Sequence, residues 1–447
     1  MSMRVHKLVS YAVALSAGVF LGRLSDFASV KDESVARRGS VEPTHSAVVF
    51  NIKHPDFGAA GNGVTDDTSA IQTAINAAVS AGGGTVYFPS GAYYTSAPLV
   101  INGSSVHLAG EGRASSLDVH GSFDSILINT TSSPDGQYGN SVRNLRLAEY
   151  NKLGGRSIAA RLVAQLHIAD VIIDSPFDGI HLHNFNDVNI ERTRVAGPRG
   201  TFGGLLTGGG TTDRGRSDVI DFQDVVFSGT KALQDRHGLI IDGFVSTVSA
   251  HKIYFTAVDG VGLWIRNTIG ASQSPEFATF YGLEADFPYY EAIQIQHGQR
   301  FYFTDTQVHG SRSRSNIFIA DGVRTLSFKG GFSSGARYAG MDIFGRQVVV
   351  GGMEFLSNSA APSGGSPGAW AGLVLEGTSR MVTLFGNQSG DPVNPTWQSY
   401  GIQINSGADQ FAITGNVLFN NAHGALLNDA GSGATRVVAN NAMPQAQ

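Results

Sequence analysis

Between Ile180 and Gln296, alternate strand positions carry His181, His183, Asp242, Trp264, Arg266, Gln294 and Gln296. Trp264 offers a flat apolar face on which a sugar ring can stack, and the two glutamines and His181 offer partners for hydroxyls. His183 and Arg266 can meet an acidic group, and Asp242 can act as a base, an acid or a cation ligand. A second, denser group lies in the stretch 281–314, with Glu284, Asp286, Tyr289, Tyr290, Glu291, His297, Asp305, His309, Arg312 and Arg314. Aligning LEAD (283–286) with FTDT (303–306) sets Glu284 above Thr304 with Asp305 beside them on the next coil. Such a carboxylate pair suits glycosidic hydrolysis, in which one carboxyl protonates the leaving oxygen and the other attacks or activates water. In an elimination, Arg266 or His183 would instead withdraw a proton next to a uronate carboxylate, while a cation or an arginine balances that charge. A loop at 207–218, TGGGTTDRGRSD, adds Asp213, Arg214 and Arg216 as groove-wall candidates. The competing reading of the first group is an exposed polar face without chemistry.

The elements that must position these side chains repeat. Short apolar-x-apolar runs begin at Leu99, Ile126, Ile158, Ile180, Leu205, Leu239, Leu263, Ile293, Ile317, Met341, Leu373, Ile402 and Ala425, with a mean spacing of about 27 residues, inside the window of solenoids. Period-two alternation then points each flanking apolar residue inward and the residue between them outward. The outward residues form two columns. One includes His181, Leu206, Ile240, Trp264, Gln294, Phe318, Asp342 and Leu426; the other includes His183, Asp242, Arg266, Gln296, Phe344 and Glu376. A later strand in each coil, as in VTLFGN (382–387) and FAITGN (411–416), ends on Asn387 or Asn416, which read as turn residues bonding local or adjacent-coil backbone.

Upstream of the repeat, Asp66, Asp67 and Thr68 offer oxygens to the free N–H groups of a helix start, and Ile71, Ala74, Ile75, Ala78 and Val79 recur at helical spacing. Gly82 to Gly84 end that helix, and a strand follows through Thr85 to Phe88. The ordered set Gly58-Ala59, Gly61-x-Gly63, Asp66-Asp67-Thr68, Ile71-Gln72, Ala74-Ile75, Gly83-Gly84, Val86-x-Phe88-Pro89 and Gly91-x-Tyr93 resembles the N-terminal signature of the pectate lyase superfamily. The resemblance implies an all-β chain, a single-stranded right-handed parallel β-helix of about 13 coils whose short α-helix, residues 67–80, covers the first coil. It also implies a polysaccharide partner, since the group includes polysaccharide lyases, glycoside hydrolases and tailspike depolymerases. Lyases of this group often use Ca²⁺ against a uronate carboxylate, so a calcium ion is a possible cofactor. Neither the polygalacturonase motifs nor the calcium-dependent pectate lyase pattern is matched in full, and no catalytic position is carried over from them.

Composition sets further bounds. Gly is abundant at 57 residues, charged residues are 15%, cysteine is absent, and the formal charge is −5. No disulfide framework or thiolate site is available, and no clustered basic footprint points to nucleic acid. His181 and His183 share a strand face without an evident third zinc ligand. Residues 1–30 place Arg4 and Lys7 before an apolar run, Leu8 to Leu21, which reads as an export signal, cleaved or kept as a membrane anchor. Residues 31–48 read as a linker and 49–447 as one β-helix domain. The expected product is a secreted or periplasmic enzyme that cleaves a polysaccharide, acidic by the choice of His183 and Arg266, by elimination or hydrolysis. The alternative is a non-catalytic polysaccharide-binding or surface structural β-helix.

Overall fold

The computed structural model describes residues 48–129, 136–209, 217–230, 235–271, 273–359, 366–393 and 396–443. The export segment, all but the last residue of the linker, and Asp213, Arg214 and Arg216 lie outside the described residues. The chain winds into a parallel β-solenoid of about 14 turns, a right-handed β-helix. Every pairing between its named strands is parallel, because each strand bonds to its counterpart one coil earlier and one coil later. A representative coil begins with Ile293–Ile295 on a first face and continues as Gly298–His309, which bends across a second and a third face. Ile293, Ile295, Phe301, Phe303 and Val308 of that coil point inward and are fully buried.

Stacking coil on coil sets like residues over like residues. The rings of Phe280, Phe303 and Phe328 form a continuous inner stack, with centroids 4.8 and 4.4 Å apart and planes within 9° of parallel. Burying each such ring contributes roughly 1.5–3 kcal/mol, repeated along the axis, which is how a chain without disulfides holds a long narrow core. The corner between the second and third faces needs a left-handed residue in every coil. Gly282, Gly330, Gly352, Gly386 and Gly415 fill it with φ between 62° and 70°. Asp305 occupies the same corner with φ 52°, a conformation Asp tolerates better than most residues. The next position carries an asparagine ladder. Asn387 Nδ2 donates to Val350 O and to Asn416 Oδ1, and Asn416 Nδ2 donates to Leu384 O and Asn441 Oδ1, all near 3 Å. These bonds are the adjacent-coil contacts expected of Asn387 and Asn416.

Register on the first face differs from the sequence reading at two coils. Ile180 pairs with Gly204 rather than Leu205, and Ile402 pairs with Leu426 rather than Ala425. The outward residues there are therefore Leu205 and Leu427, not Leu206 and Leu426. At Gly204 the cause is steric: a Cβ would sit 3.1 Å from the Phe227 ring and 3.0 Å from Leu239, so Phe227, reaching across from the third face, already fills the inward space.

The helix spans Thr68–Ser80 and buries Ile71, Ala74, Ile75 and Ala78 in the same core. Its start follows the expectation at Asp66, whose Oδ1 accepts the Thr68 N–H at 3.0 Å, and departs from it at Asp67. Asp67 sits at the N-cap but makes no side-chain bond to the helix. Its two carboxylate oxygens instead accept the Ala60 and Gly61 N–H groups at 2.6 and 3.0 Å, fixing the preceding glycine loop. Gln72 meets the lowest strand of the first face: its Oε1 accepts Val100 N–H at 2.8 Å and its Nε2 donates to Val100 O at 2.9 Å. One side chain thus satisfies both polar groups of a residue on the strand edge, which limits pairing with another chain there. Among the described residues no helix is long and apolar enough to cross a membrane.

Candidate active site

The first face is the place where loops and strands converge. Its outward column runs through Trp264, Gln294, Phe318 and Asp342 in strict register. Loops entering this face from the third face bring His237, Tyr290, Glu291, Arg314, Ser315, Tyr338 and Trp370 to one side. The turn leaving it brings Phe344 and Glu376 to the other, and together they enclose a groove of about 680 Å³. Tyr338 and Trp370 stack at 4.9 Å, and Phe318 and Phe344 lie 5.4 Å apart. The groove therefore has an aromatic wall on each side of an acidic floor, the arrangement that binds sugar rings by their faces.

Asp342 lies on that floor between the inward, fully buried Met341 and Ile343. Its Oδ2 accepts a hydrogen bond from Ser315 Oγ at 2.5 Å, while Oδ1 is shut off from solvent and has no partner. Burial pushes its pKa up to about 7 against the opposing Ser315 bond, and the charges of Glu376 and Glu291 push it in the same direction. Glu376 stands one coil on and two residues along, so the two Cα atoms are about 8 Å apart from strand rise and coil spacing. Its Oε2 accepts from Asn405 Nδ2 at 2.7 Å, and Asn405 is fixed in turn by Gln403 Nε2 at 2.8 Å. Glu291, 7% exposed, has its pKa raised by burial, with Arg314 opposing. With Asp235, four carboxyl groups thus line one groove, and Asp342 is held about half protonated near neutrality.

Trp264 adds a donor. Its indole Nε1 is buried without a partner, and its ring is sandwiched between His237 at 4.7 Å and the Arg266 guanidinium at 4.2 Å. His237 Nδ1 accepts the Val261 N–H at 3.0 Å, so in the neutral ring the proton sits on Nε2. Burial, then the charge of Arg266, lowers the His237 pKa to about 4 and keeps it neutral.

The residues selected from sequence are distributed as follows. Trp264 and Gln294 line the groove, and Gln296 lies just past the end of the same strand without lining it. Asp242 and Arg266 form a closed pair beneath Trp264. Asp242 is 1% exposed and accepts from Arg266 Nε, Thr268 N and Thr268 Oγ1 at 2.5–2.7 Å. Although burial opposes ionisation, these bonds hold its pKa below the usual value, so Asp242 has neither a free oxygen nor a proton to give. Asp242→Asn therefore acts on stability: thermal denaturation should show a loss of about 2 kcal/mol, with turnover within a few-fold of the parent.

His181 and His183 lie two coils before the groove in a hydrogen-bonded chain. Arg156, paired with Asp124, donates to His181 Nδ1 at 2.6 Å, His181 Nε2 meets Thr207 Oγ1 at 2.9 Å, and Thr207 Oγ1 meets His183 Nδ1 at 2.9 Å. Burial lowers both histidine pKa values, that of His181 to about 4, so His183 is not the cation expected to meet an acidic sugar. Glu284 and Asp286 sit on the third face, where Glu284 stacks on Gln307 and Asp286 on His309. Thr304 lies on the second face over Tyr281, and Asp305 is the exposed corner residue described above. The Glu284–Asp305 pair is therefore not formed, because the alignment of LEAD with FTDT matched strands of different faces. Tyr289 borders the groove through an edge contact with Tyr290 at 5.1 Å. Among the described residues no group of three or more His, Asp or Glu is arranged to hold a metal ion.

Comparisons with known proteins agree with this architecture. The chain is 40% identical over 114 residues to mannuronan C5-epimerase AlgE1 of Azotobacter vinelandii, a match spanning 24% of this chain and 8% of that enzyme. The sequence matches to curated relatives thus take in less than a tenth of their length. In structure it is similar to the A-module of mannuronan C-5 epimerase AlgE6 from the same organism, with a TM-score of 0.62, 19% identity, and coverage of 89% of this chain and 99% of that one. Tailspike protein 3 of bacteriophage CBA120 gives a TM-score of 0.66 at 17% identity, covering 86% of this chain and 60% of the tailspike. The family model of pectate lyase-like rhamnogalacturonase A/epimerase proteins matches residues 49–274, half of the chain, and the chain belongs to that family.

Proposed function

We propose that the protein is a glycan-cleaving enzyme that hydrolyses an internal bond of a polysaccharide, with Asp342 as general acid and Glu376 as the second carboxylate. The observation that carries the reading is geometric: Asp342, its Oδ2 held by Ser315, lies on the floor of an aromatic-walled groove, one coil from a carboxylate held in place by the Gln403–Asn405 pair. Polysaccharide-acting relatives support the substrate class. In this scheme the Ser315 bond to Oδ2 orients the Asp342 carboxyl group, which gives its proton to the leaving oxygen. Glu376 attacks the anomeric carbon or activates water. Gln294 holds a hydroxyl of the ring in between, and Trp264, Tyr338, Trp370 and Phe318 carry sugar rings. Elimination fits less well: Arg266 is spent on Asp242, His237 is neutral, and Arg314 is the basic side chain left among the described lining residues to balance a uronate beside four carboxyl groups.

The pH profile tests the assignment. An acid with a pKa near 7 is lost as pH rises, so kcat/KM should fall above about pH 7. In Glu376→Gln the charge that disfavours Asp342 ionisation is gone, and the residual activity should lose its alkaline limb at a lower pH. A limb that stays in place would remove the coupling. Stability follows the same sign. Asp342 binds its proton more tightly folded than unfolded, so its contribution is whole below about pH 4 and is lost as pH climbs towards 7.

A further inference from the structure

Around the corner from the groove, the edge of the second face carries a charge pattern that stability alone disfavours. Gln299, Arg324, Arg346, Arg380 and Asp409 occupy one column in consecutive coils. Three arginines therefore repeat at the coil spacing of about 4.8 Å, and like charges directly opposite in a sheet are destabilising. Their local compensation is slight. Among the described residues the Arg324 side chain has no hydrogen-bond or ion-pair partner. Arg346 reaches Asp321 at 3.5 Å with both side chains about half exposed, a pair worth little in water. Arg380 donates to the Gly377 and Ser379 carbonyls at 3.0 and 2.7 Å, which fixes its head without neutralising it.

The carboxylates at either end of the column are already engaged. Glu276 Oε2 accepts from Gln299 and Arg300 at 3.1 and 3.2 Å, and Asp409 Oδ1 accepts from Thr435 and Arg436 at 2.9 and 3.0 Å. A depression of about 320 Å³ opens at the base of the column, where Gln273, Ser274, Gln299, Arg324 and Glu276, the last engaged by Gln299 and Arg300, line it. It sets amide and hydroxyl groups next to the unpaired guanidinium.

We propose that Arg324, Arg346 and Arg380 form a binding rail for a linear polyanionic glycan that lies parallel to the solenoid axis. Guanidinium groups pair with carboxylate or sulfate in bidentate fashion, and one cation per coil matches a polymer bearing one anionic group per ring, because a sugar ring is about as long as the coil spacing. The polar groups of the depression take the hydroxyls at the end of the chain. A net charge of −5 repels a polyanion elsewhere on the molecule, so binding concentrates on the rail. Phe344 and Glu376 of the groove precede Arg346 and Arg380 by two and four residues, so a glycan on the rail lies along the rim of the groove. The rail rests on the glycan-cleaving reading only for its choice of polymer, and its test reads binding alone.

Calorimetric titration of the full chain with oligogalacturonate and with a neutral β-glucan oligomer, at two salt concentrations, tests the proposal. In Arg324→Gln/Arg346→Gln, with an unchanged circular dichroism spectrum, affinity for the acidic oligomer should fall about tenfold or more and its salt dependence should flatten, while the neutral oligomer binds as before. Equal affinities in parent and variant, or equal losses for both oligomers, overturn the rail. Tighter binding of single-stranded DNA than of the acidic oligomer overturns the ligand class. A chain that cleaves no polysaccharide yet loses acidic-oligomer binding in the double variant keeps the rail and removes the hydrolytic assignment.

Discussion

Asp342→Asn should lower turnover on a cleaved polysaccharide by about a hundredfold or more, with KM and the circular dichroism spectrum little changed. The substitution keeps the shape of the side chain and an acceptor for Ser315, and it removes the proton that the leaving oxygen needs. Folding is not at risk, because burying a neutral amide at this site costs no more than burying a carboxyl group that is about half ionised near neutrality. Glu284→Gln and Asp305→Asn serve as controls. Glu284 lies on the third face and Asp305 is exposed on the corner, so both should retain near-parental turnover. Loss of activity in those two with retention in Asp342→Asn would reverse the assignment.

Ile265→Asp should abolish soluble expression. Ile265 is fully buried and stacks in register between Ile241 of the preceding coil and Ile295 of the next, both within 1% of full burial. A carboxylate there has no partner within the apolar column, and the cost of an unpaired buried charge exceeds the few kcal/mol by which a domain is stable. Because each coil is held by its neighbours, the damage is not confined to one strand but separates the stack on either side. Ile265→Val, which keeps the apolar column, should fold with a loss of about 1 kcal/mol. Soluble, cooperatively folding Ile265→Asp would mean that the inward column is not the core.

Much of the fold was legible because a solenoid writes its core in a period that survives without tertiary knowledge: Ile180, Leu239, Leu263 and Ile293 all lie on inward positions of the first face, as their alternation with polar residues requires. Register failed where both candidate residues were apolar, at Leu205-Leu206 and Ala425-Leu426. There the deciding contact, that of Phe227 with Gly204, comes from another face and leaves no local trace. The groove was only half legible. Trp264 and Gln294 stood out by type, whereas Asp342 and Glu376 each occur singly beside apolar strands, MDI and LVL. Density in sequence favoured residues 281–314, but in a solenoid each coil contributes only a few side chains to a site. Their neighbours are a coil length away in sequence. The signal that could have found them was already in the outward columns, where an acid follows an aromatic: Phe318 then Asp342, Phe344 then Glu376.

The central claim is hydrolysis in the groove floored by Asp342, and product analysis on a panel of acidic and neutral polysaccharides tests it most directly. Mass spectrometry of the fragments, run for the parent and for Asp342→Asn, distinguishes a water added across each broken bond from an unsaturated uronate at the new end and from an inverted uronate in an uncut chain. The account predicts saturated fragments carrying one added water from the parent and almost none from Asp342→Asn. Unsaturated ends, or inversion without cleavage, would contradict it.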